Sequence, residues 1–186
     1  MMSIRSLEEP YPQRRNIRLR SYDYAWEGAY FVTICSYKKQ SLFGNVIGST
    51  MRLNSCGEIV ESVWKDIPLH YPEVKNELFT IMPNHVHGVI IIQDLKRAGH
   101  RPAPTKKQPL SEIVRAFKSF SSQRVNEQRQ LRGIPIWQRS YYEHVIRSEE
   151  EFTRIGEYIL FNAAKWTTDR ENSHTLIKSS ALPFEY

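Results

Sequence analysis

The segment that most constrains the fold runs from Met82 to Ile92 and reads Met-Pro-Asn-His-Val-His-Gly-Val-Ile-Ile-Ile. Its β-branched second half is typical of a buried strand, which is predicted to begin after Pro83 because proline cannot donate a hydrogen bond to a sheet. Side chains alternate between the faces of a strand, so His85 and His87 are predicted to share one face while Val86 enters the core on the other. The segment therefore predicts a core strand with two imidazoles on one face.

The rest of the chain alternates between predicted strands and helices. In order, the predicted elements are a strand at 30–35, a short hairpin or edge segment at 42–48, a helix at 55–68, strands at 78–82 and 85–92, a helix from residue 111, an extended segment at 137–146, and a last helix that follows Ser148 and extends to Trp166. Ser148 and Glu151 fit a capping box at the start of the last helix. This order predicts an α+β sandwich, with one antiparallel sheet and helices on one face. A doubly wound parallel sheet is disfavoured because glycine-rich nucleotide-binding turns and a Walker-type loop are missing from the sequence.

Size and charge narrow the class of protein further. The chain has 186 residues, of which 40% are hydrophobic, and this predicts a folded domain with a real core. Its net charge of +6 favours a polyanionic partner, for which nucleic acid and an anionic membrane surface both qualify. The apolar run at 89–92 is far shorter than the roughly 18 residues of a membrane helix. With no apolar signal segment and only two cysteines, Cys35 and Cys56, the sequence predicts a reduced cytoplasmic protein.

Two imidazoles on one strand face can share a metal ion. A bare His-x-His pair is more often structural, so the pattern needs a third ligand before it indicates a metal site. Tyr158 and Asn162 lie four residues apart beside the apolar face of the last helix, and the Asn162 amide oxygen is a suitable ligand for Mg²⁺ or Mn²⁺. Gly88 is predicted to leave room for another backbone or a ligand to approach the strand. The sequence is therefore compatible with a site of three ligands.

Tyr158 is the candidate nucleophile because it lies next to the proposed ligands. A metal ion stabilises charge on a phosphate, and a tyrosine can act as a covalent nucleophile. The pKa of a free tyrosine is about 10, so the metal or the nearby cations Arg154 and Lys165 must help to remove its proton. The alternative is that Tyr158 only covers the edge of the core. Tyr141 and Tyr142 are rival nucleophiles, but neither has an amide or an acid four residues later.

Several short strings occur in one order along the chain and together carry a resemblance. They are Arg18-Leu19-Arg20 with Tyr22-Asp23-Tyr24, residues 28–34, Leu42-Phe43-Gly44, Leu53-Asn54 with residues 57–60, residues 82–88, Phe117-Lys118-Ser119, Trp137-Gln138-Arg139 with residues 141–147, and Tyr158-Ile159 with Asn162. The string at 82–88 resembles the HUH motif, histidine-hydrophobic-histidine, of single-tyrosine transposases. Over roughly residues 14–166 the chain resembles the REP-associated tyrosine transposases, where REP denotes a repetitive extragenic palindrome.

The resemblance implies a ferredoxin-like fold and a metal-dependent reaction on single-stranded DNA. By this resemblance, Tyr158 is the nucleophile that forms a 5′-phosphotyrosine bond and releases a 3′-hydroxyl. His85 and His87 are metal ligands, and Asn162 matches the polar residue that completes a site for Mg²⁺ or Mn²⁺. The chain has Ala163 where the family usually has proline, and alanine lets the helix continue past the ligand.

The resemblance also implies the partner, which is hairpin DNA of the REP type with a short single-stranded guide, and not a membrane. DNA contacts are predicted for the side chains of Arg18, Arg20, Arg115, Lys118, Gln138, Arg139 and Arg147, with Tyr22, Trp137 and Tyr141 as aromatic neighbours. A monomer is expected, with a homodimer as the alternative. One HUH domain is expected over residues 1–186, with a core at about 14–168 between a basic N-terminal arm and a C-terminal tail.

Two other functions remain open from the sequence. A domesticated relative could hold DNA hairpins without cutting them, and a metal-dependent RNA-processing enzyme could use the same two histidines. The presence of the nucleophile and of the proposed ligands favours a transposase that cleaves and joins DNA. Glu143 and His144 are interpreted as surface polar residues rather than as groups that support the ligands.

Overall fold

The structure, a computed structural model, describes residues 27–76, 78–93, 108–169 and 171–172. Its strands are Gly28–Cys35 (β1), Gly44–Ile47 (β2), Thr50–Leu53 (β3), Val74–Lys75 (β4), Phe79–Met82 (β5), His85–Ile92 (β6) and Tyr142–Ile146 (β7). Its helices are Ser55–Lys65 (α1), Ile67–His70 (α2), Leu110–Gln128 (α3) and Glu149–Leu160 (α4), with short 3-10 helices at Tyr37–Lys39 and Trp166–Thr168. The predicted DNA contacts Arg18 and Arg20, their neighbour Tyr22 and the N-terminal arm lie outside the described residues.

β6 and β1 form the centre of a five-stranded antiparallel sheet. β1 pairs along its whole length with β6, from Gly28 opposite Ile92 to Cys35 opposite His85, and with the edge strand β7 on its other side. β4 and β5 pair with successive stretches of β6, while β2 and β3 form a separate hairpin. The order β5–β6–β1–β7, with α1 and α3 in the crossovers, is the β-α-β-β-α-β arrangement of ferredoxin-like folds. This confirms the predicted α+β class and the antiparallel sheet.

α1 and α3 pack on one face of this sheet. The strands contribute Tyr30 and Ile90 to the core, and the helices contribute Trp64 and Phe117, whose rings meet edge to face with centroids 5.2 Å apart. The indole nitrogen of Trp64 donates to the Asn76 carbonyl at 3.0 Å, so its polar atom is satisfied although the side chain is fully buried. This face contains the larger of the two apolar clusters among the described residues and therefore supplies most of the hydrophobic stabilisation.

α4 packs on the opposite face, which corrects the expectation that the helices share one face. Ile159, Phe152 and Ile155 of this helix contact a small cluster that includes Phe31 and Val89. These two strand residues alternate with the residues of the main core, so β1 and β6 are apolar on both faces. The second apolar face also has to be covered, and α4 provides that cover.

The start of α4 agrees with the sequence prediction, whereas its end does not. At its start, the Ser148 hydroxyl accepts a hydrogen bond from the Glu151 N–H at 3.2 Å, which confirms the predicted cap. At its end, the helix stops at Leu160, so the prediction that it would extend to Trp166 is wrong. The chain turns after residue 160, and Asn162 is buried in that turn. Asn162 is therefore positioned by a turn and not by helical periodicity.

Gly88 faces the indole of Trp64, so the space predicted for a ligand is filled by a core side chain. A Cβ added at Gly88 would lie 2.3 Å from Cζ2 of Trp64. We expect Gly88→Ala to lower the free energy of unfolding by about 1–3 kcal/mol, because a packed core does not absorb an additional carbon without strain. Urea unfolding of the two proteins measures this difference.

Gly156→Ala is the matched control for this prediction. A Cβ at Gly156 would lie 3.5 Å from Cδ2 of Leu78, which is an ordinary contact, and alanine favours the helix over glycine. Its free energy of unfolding should therefore equal or exceed that of the unmodified protein. Equal losses in both variants would contradict the role of the Gly88–Trp64 contact.

Two features of the structure relate to membrane insertion and to the cysteines. Within the described ranges, no helix has both the length and the apolar character needed to cross a membrane. Cys35 and Cys56 are both buried, and no disulfide joins them. The two thiols are therefore part of the packed interior.

Candidate active site

The sheet face beneath α4 carries the two histidines of β6. His85 is fully buried and His87 is 2% exposed, and their ring centroids lie 4.3 Å apart. The Val86 side chain between them lies in the core on the other face. The alternation predicted for this strand is therefore confirmed, and it brings two imidazole rings into one buried patch.

Hydrogen bonds at Nδ1 orient both rings. The Asn84 amide nitrogen donates to the Glu171 carbonyl at 2.7 Å, so the amide oxygen faces His85 and accepts a hydrogen bond from its Nδ1 at 2.8 Å. Nδ1 of His87 lies 2.8 Å from Oγ1 of Thr33. Because Nδ1 of His85 carries the proton, its Nε2 keeps a lone pair, and this buried atom has no hydrogen-bond partner in the described part of the chain.

Asp169 is a third potential ligand, and it was not predicted from the sequence. Its carboxylate and one nitrogen of each of His85 and His87 form a group of ligand atoms that all lie within 4.8 Å of one another. Asp169 is 7% exposed, and it accepts a hydrogen bond from the Glu171 N–H at 2.6 Å. A lone acidic residue beyond the predicted helix is the available sequence cue, and it has no spacing that would indicate a ligand.

Asn162 lies in the same cluster. Its side chain is 1% exposed, and its Nδ2 donates to Oδ2 of Asp169 at 3.0 Å. Its Oδ1 is buried and has no hydrogen-bond partner among the residues that the structure describes. Buried acceptors without partners are rare and destabilising, yet this cluster contains two of them, on Asn162 and on His85. A bound cation would satisfy both atoms.

Both imidazoles are neutral at neutral pH. Burial, with the charge of Lys39 as the second cause, lowers the pKa of His85 to about 3. Burial, followed by the proximity of His85, holds the pKa of His87 well below its usual value. Metal ions bind the neutral form of histidine, so both rings can act as ligands at neutral pH.

The turn after α4 is tied to the strands around the cluster. The Glu171 carboxylate lies 2.9 Å from Nζ of Lys39 and accepts a hydrogen bond from Sγ of Cys35 at 3.3 Å. The Glu171 backbone carbonyl accepts a hydrogen bond from the Asn84 side chain, and the Glu171 N–H donates one to the Asp169 carboxylate. These bonds hold the Asp169 carboxylate beside the histidines.

The Tyr158 hydroxyl reaches the same cluster from α4. It lies 3.1 Å from Nε2 of His87, and its ring packs edge-on against Phe31 with centroids 6.1 Å apart. Burial, with the charge of Asp169 as the next cause, raises the pKa of Tyr158 to about 12. The side chain is still 39% exposed, so a molecule outside the protein can reach its oxygen. The residues predicted as nucleophile and as ligands are therefore adjacent.

Comparison with known proteins adds information on ancestry and fold. No protein family model matches the chain. An uncharacterised protein of Haemophilus influenzae is 40% identical over 167 residues, which cover 84% of this chain and 92% of that protein. A second protein of that species, provisionally described as a REP-associated tyrosine transposase, is 27% identical over 105 residues, or 56% of this chain and 57% of that protein. A solved structure of a REP-associated tyrosine transposase bound to a REP hairpin aligns with a TM-score of 0.55 at 16% identity, over 90% of this chain and 88% of that one.

The chain resembles the REP-associated tyrosine transposases in sequence and in fold. The first relative matches along nearly its whole length, and the second relative, which carries the family description, matches over about half of each chain. The structural alignment shows that the fold of a REP-associated tyrosine transposase is shared. The resemblance inferred from the short sequence strings is therefore confirmed.

Tyr141 and Tyr142 are arranged differently from Tyr158 in this chain. Tyr142 lies on β7 with 45% of its surface exposed, and its ring packs edge-on against Phe31. Tyr141 precedes the strand, and Nζ of Lys118 lies 5.3 Å from its ring centroid. The Tyr158 hydroxyl, by contrast, lies 3.1 Å from Nε2 of His87.

Two residues predicted to contact DNA make other contacts in this structure. Arg115 lies on α3, across the sheet from the cluster, and its Nε donates to Glu112 at 2.8 Å. Nζ of Lys118 donates to the backbone carbonyls of residues 138–140 at 3.0, 3.3 and 3.1 Å, and burial lowers the pKa of this amine to about 8. Lys118 therefore fixes the segment that leads into β7, and a role in DNA binding remains a prediction for both side chains.

The other predicted DNA contacts flank β7, the edge strand beside α4. The Gln138 N–H donates to the Cys35 carbonyl at 2.9 Å, which attaches this segment to β1. Arg139 and Arg147, before and after the strand, are exposed. These two cations are therefore accessible to a phosphate backbone, and their contact with DNA also remains a prediction.

Proposed function

We propose that this chain is a metal-dependent DNA transposase that cleaves and joins single-stranded DNA through Tyr158. The observation that carries the proposal is the position of the Tyr158 hydroxyl, 3.1 Å from Nε2 of His87. His87 belongs to a buried group of potential metal ligands, whereas the tyrosine is partly exposed. A nucleophile that is open to solvent beside a ligand cluster suits phosphoryl transfer to an external strand.

The donor atoms of the cluster fit a divalent metal ion. The proposed ligands are Nε2 of His85, Nε2 of His87, an oxygen of Asp169 and Oδ1 of Asn162. Neutral imidazoles together with carboxylate and amide oxygens suit Mn²⁺, and Mg²⁺ would use chiefly the oxygen donors. An ion held there would polarise a phosphate oxygen and make the tyrosine proton easier to remove.

In the proposed reaction, the Tyr158 oxygen replaces the 3′-oxygen of the DNA in a phosphoester bond. Its oxygen attacks phosphorus, the Tyr–O–P bond forms, and the bond between phosphorus and the 3′-oxygen breaks. The tyrosine gives up its proton, and the departing 3′-oxygen takes one, which leaves a 5′-phosphotyrosine and a 3′-hydroxyl. Attack by a second 3′-hydroxyl on the phosphotyrosine joins two strands and restores the tyrosine.

Hairpin DNA with single-stranded flanks is the proposed substrate. A REP-associated tyrosine transposase with the same fold has been solved with a REP hairpin bound to it. The net charge of +6 favours a nucleic-acid partner, and the exposed Arg139 and Arg147 lie on either side of the strand next to α4. We propose that the protein acts on this DNA as a monomer in the cytoplasm.

Covalent capture tests the proposed function. The full chain is incubated with labelled DNA hairpins that have randomised single-stranded flanks, in Mg²⁺ or in Mn²⁺. We expect an adduct that survives denaturation, a released fragment with a 3′-hydroxyl, and a DNA-linked peptide that contains Tyr158. Sequencing of the captured DNA identifies the preferred hairpin. Binding without an adduct in either metal would support a hairpin-binding protein that does not cut, and would overturn the proposal.

A further inference from the structure

A cavity of about 330 Å³ opens beside the Tyr158 ring, between α4 and the edge strand β7. Its strand wall consists of Phe31, Tyr142 and His144. Phe31 pairs with His144 across the sheet, and Tyr142 lies two residues before His144, so all three side chains share the face that also carries His87. The cavity is therefore continuous with the face on which the candidate active site lies.

Aromatic rings form the strand side of this cavity. The Phe31 ring packs edge-on against Tyr142 on one side, with centroids 6.3 Å apart, and against Tyr158 on the other, with centroids 6.1 Å apart. Tyr142 is 45% exposed, so its ring is only partly covered by the protein. Partly exposed aromatic rings on a nucleic-acid-binding protein are surfaces on which bases stack.

The helix wall combines apolar and polar side chains. Glu151, Arg154, Ile155 and Tyr158 follow one another at helical spacing and line the cavity from one face of α4. Glu151 is already engaged, because its carboxylate oxygens accept hydrogen bonds from His144 Nε2 at 2.6 Å and from a backbone N–H at 2.8 Å. His144 therefore supports the cavity wall, which differs from its interpretation as a surface polar residue.

The charge of the cavity does not suit a phosphate group. The carboxylate of Glu151 offsets the guanidinium of Arg154, whereas a phosphate site requires an excess of positive charge. No hydrogen bond joins the Arg154 guanidinium to another residue within the described ranges, so its donors are open to a ligand. Aromatic walls with a planar set of donors suit an uncharged heterocycle that carries acceptors along its edge.

We infer that this cavity binds one unpaired nucleobase of the DNA strand, next to the phosphate that Tyr158 attacks. The base stacks on Tyr142, and the Arg154 guanidinium donates to acceptors on its edge. Because the cavity borders the nucleophile, holding this base places the neighbouring phosphate at the Tyr158 oxygen. The inference rests on the proposed function and adds a specificity-determining subsite to it.

Abasic substitution in the captured hairpin tests the subsite. Each nucleotide near the cut is replaced in turn by a sugar without a base, and the rate of adduct formation is compared with that on the intact hairpin. For the unmodified protein, one position is expected to show a loss of about tenfold to a hundredfold, the size of one base stack. In Tyr142→Ala, the intact hairpin should react slowly, and the abasic change at that position should cause little further loss.

Three variants make the test specific to the cavity. Ile155→Trp keeps the Tyr142 ring but fills the cavity, and it should remove the abasic penalty in the same way. Tyr142→Phe restores the ring and should restore the penalty. Tyr37→Ala, an exposed tyrosine at 38% exposure outside the cavity, should show the full penalty of the unmodified protein. Each penalty is a ratio within one protein preparation, so partial unfolding of a variant does not change it.

The subsite and the proposed function would be overturned by different results. If the abasic penalty at every position is the same in Tyr142→Ala and Ile155→Trp as in the unmodified protein, the subsite is wrong, while adduct formation still supports the proposed function. If the unmodified protein forms no adduct with any hairpin, the proposed function is wrong and the subsite is overturned with it.

Discussion

Tyr158→Phe is expected to abolish the covalent protein–DNA adduct and to slow strand cleavage at least about a thousandfold. The substitution removes one oxygen and keeps the ring that packs on Phe31, so α4 stays in place. The lost hydrogen bond to His87 contributes only about 1 kcal/mol to stability, and the fold should be retained. Single-turnover cleavage on denaturing gels measures the rate, and a mobility shift measures DNA binding, which should remain near that of the unmodified protein.

Tyr37→Phe is the matched control for the loss of a hydroxyl. Tyr37 is 38% exposed, close to the 39% of Tyr158, and it lies outside the ligand cluster and the cavity. This variant should form the adduct at the rate of the unmodified protein. If Tyr158→Phe also cleaves at that rate, another group attacks the phosphate and the assignment of the nucleophile is wrong.

Asp169→Asn is expected to weaken Mn²⁺ binding at least about a hundredfold. The substitution keeps the shape of the side chain and removes the one carboxylate of the cluster that would balance the charge of the ion. A ligand that binds the folded state stabilises it, so the rise in unfolding temperature that Mn²⁺ produces should also be lost. Calorimetric titration with Mn²⁺ and thermal unfolding with and without Mn²⁺ are the measurements.

Glu171→Gln is the control that distinguishes loss of the Asp169 carboxylate from disturbance of the turn that holds it. Glu171 lies two residues from Asp169, and its carboxylate pairs with Lys39 rather than with the two histidines. This variant should keep most of the Mn²⁺ affinity and most of the metal-dependent rise in unfolding temperature. Equal losses in both variants would show that Asp169 only holds the turn, and would contradict its assignment as a ligand.

The parts of the site that could be predicted from the sequence depend on local geometry. A strand fixes the direction of each side chain, so His85 and His87 could be assigned to one face before any tertiary structure was known. The Ser148 cap is also a short-range interaction, between residues three positions apart. Tyr158 lies within the described helix, so the direction of its side chain follows from helical periodicity.

The parts that could not be predicted depend on long-range contacts. Asp169 reaches the histidines because Asn84 and Glu171 hold the turn after α4, and Asp169 and Glu171 lie more than 80 positions from Asn84 in the sequence. The position of α4 follows from the apolar character of both sheet faces, which becomes visible only after β1 and β6 are paired. The role of Lys118 also depends on long-range contacts. The sequence shows the charge of this side chain, but it does not show the three backbone carbonyls to which Nζ donates hydrogen bonds.

The alternation along β6 also bears on how a protein of this kind can change over generations. His85 and His87, the proposed ligands, lie on the sheet face that α4 and the turn after it cover, whereas positions 86, 88 and 90 face α1 and α3. Substitution of either histidine therefore changes the candidate active site and leaves the larger core intact. Under the proposed function, descendants that have lost cleavage are expected to stay folded and to keep the surface proposed to bind DNA. Such a lineage would pass from cutting DNA to holding it by single substitutions.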